Sequence, residues 1–176
     1  MISMGVPAVI AIGGIMTLGW TAISWAGAIV WGAVAVAIMA VFMIIGNRMG
    51  MTRLDLFELL GSTVSSAHTT RSRLIGAMIH VMDGGLLAIA WAYGAAIVGW
   101  PANWASGLAW GVALWVLALL MMSSIGAVHP AIRKGEEEDP GTIAMNFGKM
   151  TPIGILLGHL VYGGVLGLLY QGLPLR

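Results

Sequence analysis

The chain has 176 residues, 59% of them hydrophobic and only 9% charged, with a formal net charge of +1. A soluble domain carries about 25% charged residues, so the composition excludes an ordinary soluble fold, and the near-neutral charge gives no hint of nucleic acid. No cysteine is present, which removes disulfides, iron–sulfur clusters and thiolate metal sites.

The N-terminal Met1-Ile2-Ser3-Met4-Gly5 lacks a basic segment, so it reads as part of the mature chain and not as a cleaved signal peptide. The apolar stretch from Gly5 to Gly46 would be roughly 60 Å long as one helix, about twice the hydrocarbon thickness of a bilayer. It must break once. Ser24, Trp25 and Gly27 mark the stretch from Thr21 to Gly27 as an interfacial turn. This predicts a first span over residues 4–22 and a second over 26–46. A first segment lying in the interface is the alternative, but it has no polar face.

The polar stretch from Asn47 to Arg73 follows. In it Leu54, Phe57, Leu60 and Val64 recur at helical spacing beside Asp55 and Glu58, which predicts a short amphipathic helix on the membrane surface with Glu58 exposed. A third span is expected over 74–100, a turn at Pro101-Ala102-Asn103, and a fourth span over 104–128. A second polar loop carries Arg133-Lys134 and the acidic run Glu136 to Asp139, read as solvated. A fifth span covers 151–170. Trp20, Trp25, Trp100 and Trp104 fall at span ends, as in an interfacial belt.

Arg48, Arg53, Arg71, Arg73, Arg133, Lys134 and Lys149 all lie in the two long loops, and only Arg176 lies at the opposite face. This bias places the long loops and the N-terminus in the cytoplasm and the C-terminus outside, in a prokaryotic inner membrane.

An internal repeat overlays this layout. Trp25, Ala26, Trp31, Gly32, His80, Gly84 and Gly85 recur 79 residues later as Trp104, Ala105, Trp110, Gly111, His159, Gly163 and Gly164. The fold class is therefore an all-α membrane bundle in one domain. It comprises an extra N-terminal helix (1–24), repeat 1 (25–100) and repeat 2 (104–176). Each repeat holds two spans, so both point the same way and a pseudo-twofold along the membrane normal should relate them.

His80 and His159 then lie at matching depth on the third and fifth spans. Asp83 follows His80 by one turn, and Tyr162 holds the equivalent place after His159. Ionisable groups at this depth are costly and face the bundle interior, so Asp83 needs a partner among His80, His159 and Tyr162. Gly84 and Gly163, each four residues past a histidine, leave a bare strip for a second helix or a flat macrocycle.

Three readings of the pair follow. The imidazoles ligate one centre, with haem b the leading cofactor and a chlorin or a metal behind it. They form a polar site with Asp83 and Tyr162 for a proton, an ion or a small solute. Or they are hydrogen-bonded packing residues that join two helices. His68 and His129 read as solvated loop residues. Met39, Met43, Met121 and Met122 read as gap-filling residues and not as a copper site, because no Met-x-x-Met or Met-x-x-x-Met cluster is expected to pair with a histidine. No nucleophile with a base, phosphate-binding Gly loop or HExxH motif is present, which points away from an enzyme.

From Gly27 to Tyr170 the chain resembles a group of small bacterial and archaeal multi-pass membrane proteins of unknown function. The resemblance rests on Gly46-Asn47-Arg48-Met49-Gly50, the run from Asp55 to Gly61, and Gly158-His159-Leu160-Val161-Tyr162-Gly163. It implies a prokaryotic integral membrane protein and no particular activity. The extra first helix departs from the pattern and suits docking into a larger assembly. The expectation is thus a non-enzymatic membrane subunit or accessory protein, partnered by lipid and by other membrane subunits or copies of itself, with a bis-His site. The alternative is a small-solute, proton or ion transporter using the same cluster.

Overall fold

The computed structural model describes residues 2–175. Seven α-helices follow one another: α1 (Ile2–Leu18), α2 (Trp25–Arg48), α3 (Leu56–Gly61), α4 (Thr70–Ile97), α5 (Trp104–Ser124), α6 (Pro130–Arg133) and α7 (Thr151–Gly172). The described residues contain no strand. Four of the helices are long and apolar enough to cross a membrane: α2, α4, α7 and α5 with the turns that extend it to Arg133. The fifth expected span is short, because α1 has 17 residues, about 25 Å of helix.

The break between α1 and α2 comes at Gly19, which takes φ +81, followed by a 3-10 turn at Trp20–Ala22. Ser24 then caps α2, its Oγ accepting from the Gly27 N–H at 3.0 Å. Trp25 seals the turn: its Nε1 donates to the Trp20 carbonyl at 2.8 Å, and the two indoles stack with centroids 4.8 Å apart. Capping boxes at Thr69 with Ser72, and at Asn103 with Ser106, start α4 and α5. They satisfy backbone donors that an apolar surrounding would leave bare.

The helices pack in the lateral order α1, α4, α2, α7, α5. Glycines set the closest approaches. A Cβ at Gly32 would strike the Gly84 carbonyl, one at Gly107 the Gly163 carbonyl, and one at Gly111 the His159 carbonyl. In lipid, where helices gain nothing from leaving a solvent already apolar, such close backbone contact is a main source of association. A strict twofold relating α2 and α4 to α5 and α7 would pack α4 on α5 as α2 packs on α7. Instead α4 and α5 meet only sparsely, so the expected symmetric centre is open on that side.

Both long loops gather at one end of the bundle. There the Arg53 N–H donates to the Phe147 carbonyl at 2.8 Å and the Thr151 hydroxyl to the Thr52 hydroxyl at 2.8 Å. The other end is closed by the Ser24 N–H donating to the Tyr170 hydroxyl at 2.9 Å and Trp31 Nε1 to the Leu173 carbonyl at 2.8 Å.

The loops depart most from expectation. The amphipathic surface helix shrinks to the six residues of α3. Leu54 is buried ahead of it, while Val64 lies beyond it, 68% exposed. Glu58, expected in solvent, is 3% exposed. Gly61 and Gly76 explain the inversion. A Cβ on Gly61 would strike the Ser72 carbonyl and one on Gly76 the Phe57 carbonyl, so bare backbone lets α3 press against α4. Glu58 is then compensated from within, accepting from Ser72 Oγ at 2.8 Å and the His68 N–H at 2.6 Å. Gly61→Ala is therefore expected to lower stability by about 1–3 kcal/mol, seen as a lower apparent Tm of the detergent-solubilised protein. His129 is likewise no solvated loop residue but 2% exposed. Its Nδ1 accepts from the Ile132 N–H at 3.5 Å, so Nε2 carries the proton and donates to the Leu59 carbonyl at 2.9 Å.

Candidate functional site

His80 lies ten residues into α4 and His159 eight into α7, about 15 and 12 Å along their helices from the loop end. Both line one cavity of about 130 Å³ inside the bundle, together with Asp83, Gly84 and Tyr162. The structure thus brings together all four polar side chains that the repeat singled out. Leu54, Leu56 and Leu60 close the cavity on the loop side, so α3 works as its floor.

The two histidines are held differently. His159 Nδ1 is 2.8 Å from the Ile155 carbonyl, four residues back on its own helix. A carbonyl only accepts, so Nδ1 carries the proton and Nε2 keeps its lone pair. Imidazoles poised as ligands or proton acceptors are commonly oriented in this way. His80 is 9% exposed, packs edge-to-face on Phe57 with centroids 5.9 Å apart, and leaves Nε2 buried without a hydrogen-bond partner. Native proteins rarely leave such a group unpaired.

Tyr162 is 1% exposed, and its hydroxyl donates to the Gly84 carbonyl at 2.7 Å, tying α7 to α4. Asp83 is half-buried on the cavity wall. Among the described residues it makes no hydrogen bond to His80, His159 or Tyr162, contrary to the expected partnership. The glycine strips are taken by helices. Gly84 sits under Val36 and the Gly32 carbonyl, and Gly163 under the Gly107 carbonyl. Gly163 does not reach the cavity.

Size decides between ligand classes. Sites for drug-sized molecules occupy about 300–1,000 Å³, so a haem b or chlorin macrocycle does not fit a 130 Å³ cavity. The Tyr162–Gly84 bond also holds α4 and α7 together one turn past the two imidazoles. The volume suits a bare or partly hydrated ion or a very small solute, since an engineered cavity of about 150 Å³ takes up benzene or xenon.

The methionines were missed. Met4, Met39, Met43, Met121 and Met122 all line the cavity. Met39 and Met43 do form a Met-x-x-x-Met pair, and it lines the same cavity as His80 and His159. Both pack on Gly158, next to His159, with Met43 Sδ 3.0 Å and Met39 Cε 3.3 Å from where a Cβ would lie. The i, i+4 spacing of Met39 and Met43 is visible in the sequence, but the proximity of α2 to α7 that gives it meaning is not. No family model matches this sequence, and comparisons with curated proteins and with solved structures give no match.

Proposed function

We propose that the chain is a non-enzymatic multi-pass membrane protein that moves or holds a small cation, the proton foremost, at His80, Asp83 and His159. The observation that carries this reading is that His80, whose Nε2 is buried without a partner, and His159, whose Nδ1 proton is taken by the Ile155 carbonyl, line one cavity with Asp83. Imidazole is the side chain whose ordinary pKa lies nearest neutrality, and intramembrane His and Asp groups are the usual steps of a proton relay.

In this reading α1 is a fifth span packed against α4, and the chain is a tandem duplication. Gly32 and Gly111, and Gly84 and Gly163, are equivalent under the 79-residue offset and lie at the closest approaches of α2 with α4 and α5 with α7. The basic loops face a prokaryotic cytoplasm. Val34, Ile38, Val41 and Ile45 on α2, with Met78, Met82 and Leu86 on α4, are exposed and face lipid, a second copy or other membrane subunits.

The test is proton flux into liposomes that contain the purified chain and the pH dye pyranine, driven by an imposed pH step and potential. His80→Ala and His159→Ala should each lower the flux at least tenfold. Flux no greater than in empty liposomes, or flux indifferent to both substitutions, overturns the reading. The five thioethers favour a second reading, a soft monovalent metal such as Cu(I), because Met sulfur and imidazole both suit that ion. Anaerobic titration with Cu(I) against a competing chelator decides it: the Met39→Leu/Met43→Leu variant should lose binding, while proton flux persists if the first reading holds alone.

A further inference from the structure

Apart from the cavity, one cluster of side chains joins the two long loops. Glu58, His68 and Glu137 each offer a ligand atom, and these atoms lie within 4.8 Å of one another. Glu58 is buried on α3, His68 lies in the first long loop and Glu137 in the second. His68 Nε2 is 2.7 Å from the Glu136 carbonyl, which can only accept, so Nε2 carries the proton. The neutral ring therefore has its lone pair on Nδ1, 3.8 Å from Glu137 Oε1. That oxygen is itself buried without a hydrogen-bond partner. Three ligand atoms thus converge, and Glu137 Oε1 among them has no hydrogen-bond donor. The nearest cation, Arg73, has Nε 3.6 Å from Glu58 but 2.9 Å from Asp55, its closer partner.

We propose that Glu58, His68 and Glu137 bind a divalent transition metal of the zinc class, which clasps the two long loops beneath the cavity. The donor set is one imidazole nitrogen and two carboxylates, which zinc accepts in a tetrahedron completed by water. An ion bonded at about 2.1 Å sets its ligands about 3.4 Å apart, so the cluster, whose atoms lie within 4.8 Å of one another, closes around the ion as it binds. The surrounding groups already orient the ligands, as outer-sphere partners of metal sites do. The Glu136 carbonyl fixes the His68 ring. Ser72 Oγ and the His68 N–H fix the Glu58 carboxylate. Because α3 also supplies Leu56 and Leu60 to the cavity floor, the ion holds that floor to the second loop.

The test is a calorimetric titration of the full-length chain in detergent with Zn²⁺, repeated on His68→Ala and Glu137→Gln. One saturable Zn²⁺ per chain is expected, with affinity lowered at least tenfold in each variant and not displaced by equal Mg²⁺. His159→Ala should leave the affinity unchanged, which separates this site from the cavity, and proton flux plays no part in the measurement, so either reading can fail alone. His68 and Glu137 lie toward the surface, and an unshifted size-exclusion profile confirms that both variants fold. No saturable binding in the parent chain, as for a proton shared between the carboxylates, or equal affinity in the loop variants, overturns the proposal.

Discussion

Replacing Gly163 with leucine is expected to force α5 away from α7 and to lower stability by about 3 kcal/mol or more, beyond the ordinary 1–3 kcal/mol of an overpacked core. The reason is that the obstacle is backbone. A Cβ at Gly163 meets the Gly107 carbonyl oxygen, with the Gly107 carbonyl carbon 2.8 Å away. A flexible side chain could rotate aside, but a helix main chain cannot, so the whole α5–α7 contact must open. Gly107→Leu should do the same from the other side, because its Cβ meets the Gly163 carbonyl. Gly154 has no neighbour within 4 Å of its Cβ position, so Gly154→Leu on the same helix is the control and should be tolerated. The measurement is the apparent Tm of the solubilised protein, followed by size-exclusion recovery. Equal Tm for Gly163→Leu and Gly154→Leu would falsify the packing argument.

The same glycines show how far the sequence could be read. Long apolar runs announce the spanning helices, because a bilayer demands about 20 consecutive apolar residues and little else in a chain this polar-poor can mimic that. Ser24 and Asn103 lie in the two expected turns, and each caps the helix that follows. Ionisable residues inside apolar runs are rare, so His80, Asp83, His159 and Tyr162 stood out, and they do share a cavity.

What could not be read was contact between elements far apart in the chain. The periodicity of Leu54, Phe57, Leu60 and Val64 put Glu58 on a polar face, as in an isolated surface helix. It carries no hint that Gly61 and Gly76 let α3 turn Glu58 toward Ser72. His129 looked like a loop residue for the same reason, since its partners Leu59 and Thr63 are 70 and 66 residues away. The 79-residue offset suggested a twofold, but an offset says only that two hairpins are alike, not how they dock. That docking is set by α2 against α7 and leaves α4 and α5 apart.

His80→Leu is expected to raise stability while abolishing ion handling. A buried polar atom without a partner costs about 1–3 kcal/mol, and replacing it with an apolar group of similar shape removes that cost. His80 Nε2 is such an atom, and Phe57 and the leucines of the cavity floor would accept a methyl-rich neighbour. The neighbouring residues should respond differently. His159→Leu breaks the bond from Nδ1 to the Ile155 carbonyl, but that carbonyl also sits in the helix ladder, so apolar burial roughly offsets the loss and stability stays level. Tyr162→Phe removes the donor that reaches the Gly84 carbonyl at 2.7 Å, which should cost about 1 kcal/mol. The order of apparent Tm should therefore be His80→Leu above the parent, His159→Leu beside it and Tyr162→Phe below. Proton flux should fall at least tenfold in both histidine variants. A site kept for function tolerates a local instability that a packing residue would not, so a gain in Tm together with a loss of flux is what separates the two roles. If His80→Leu instead lowers the Tm by as much as a core truncation, its imidazole is a satisfied packing group, and the cavity loses its claim to be a site.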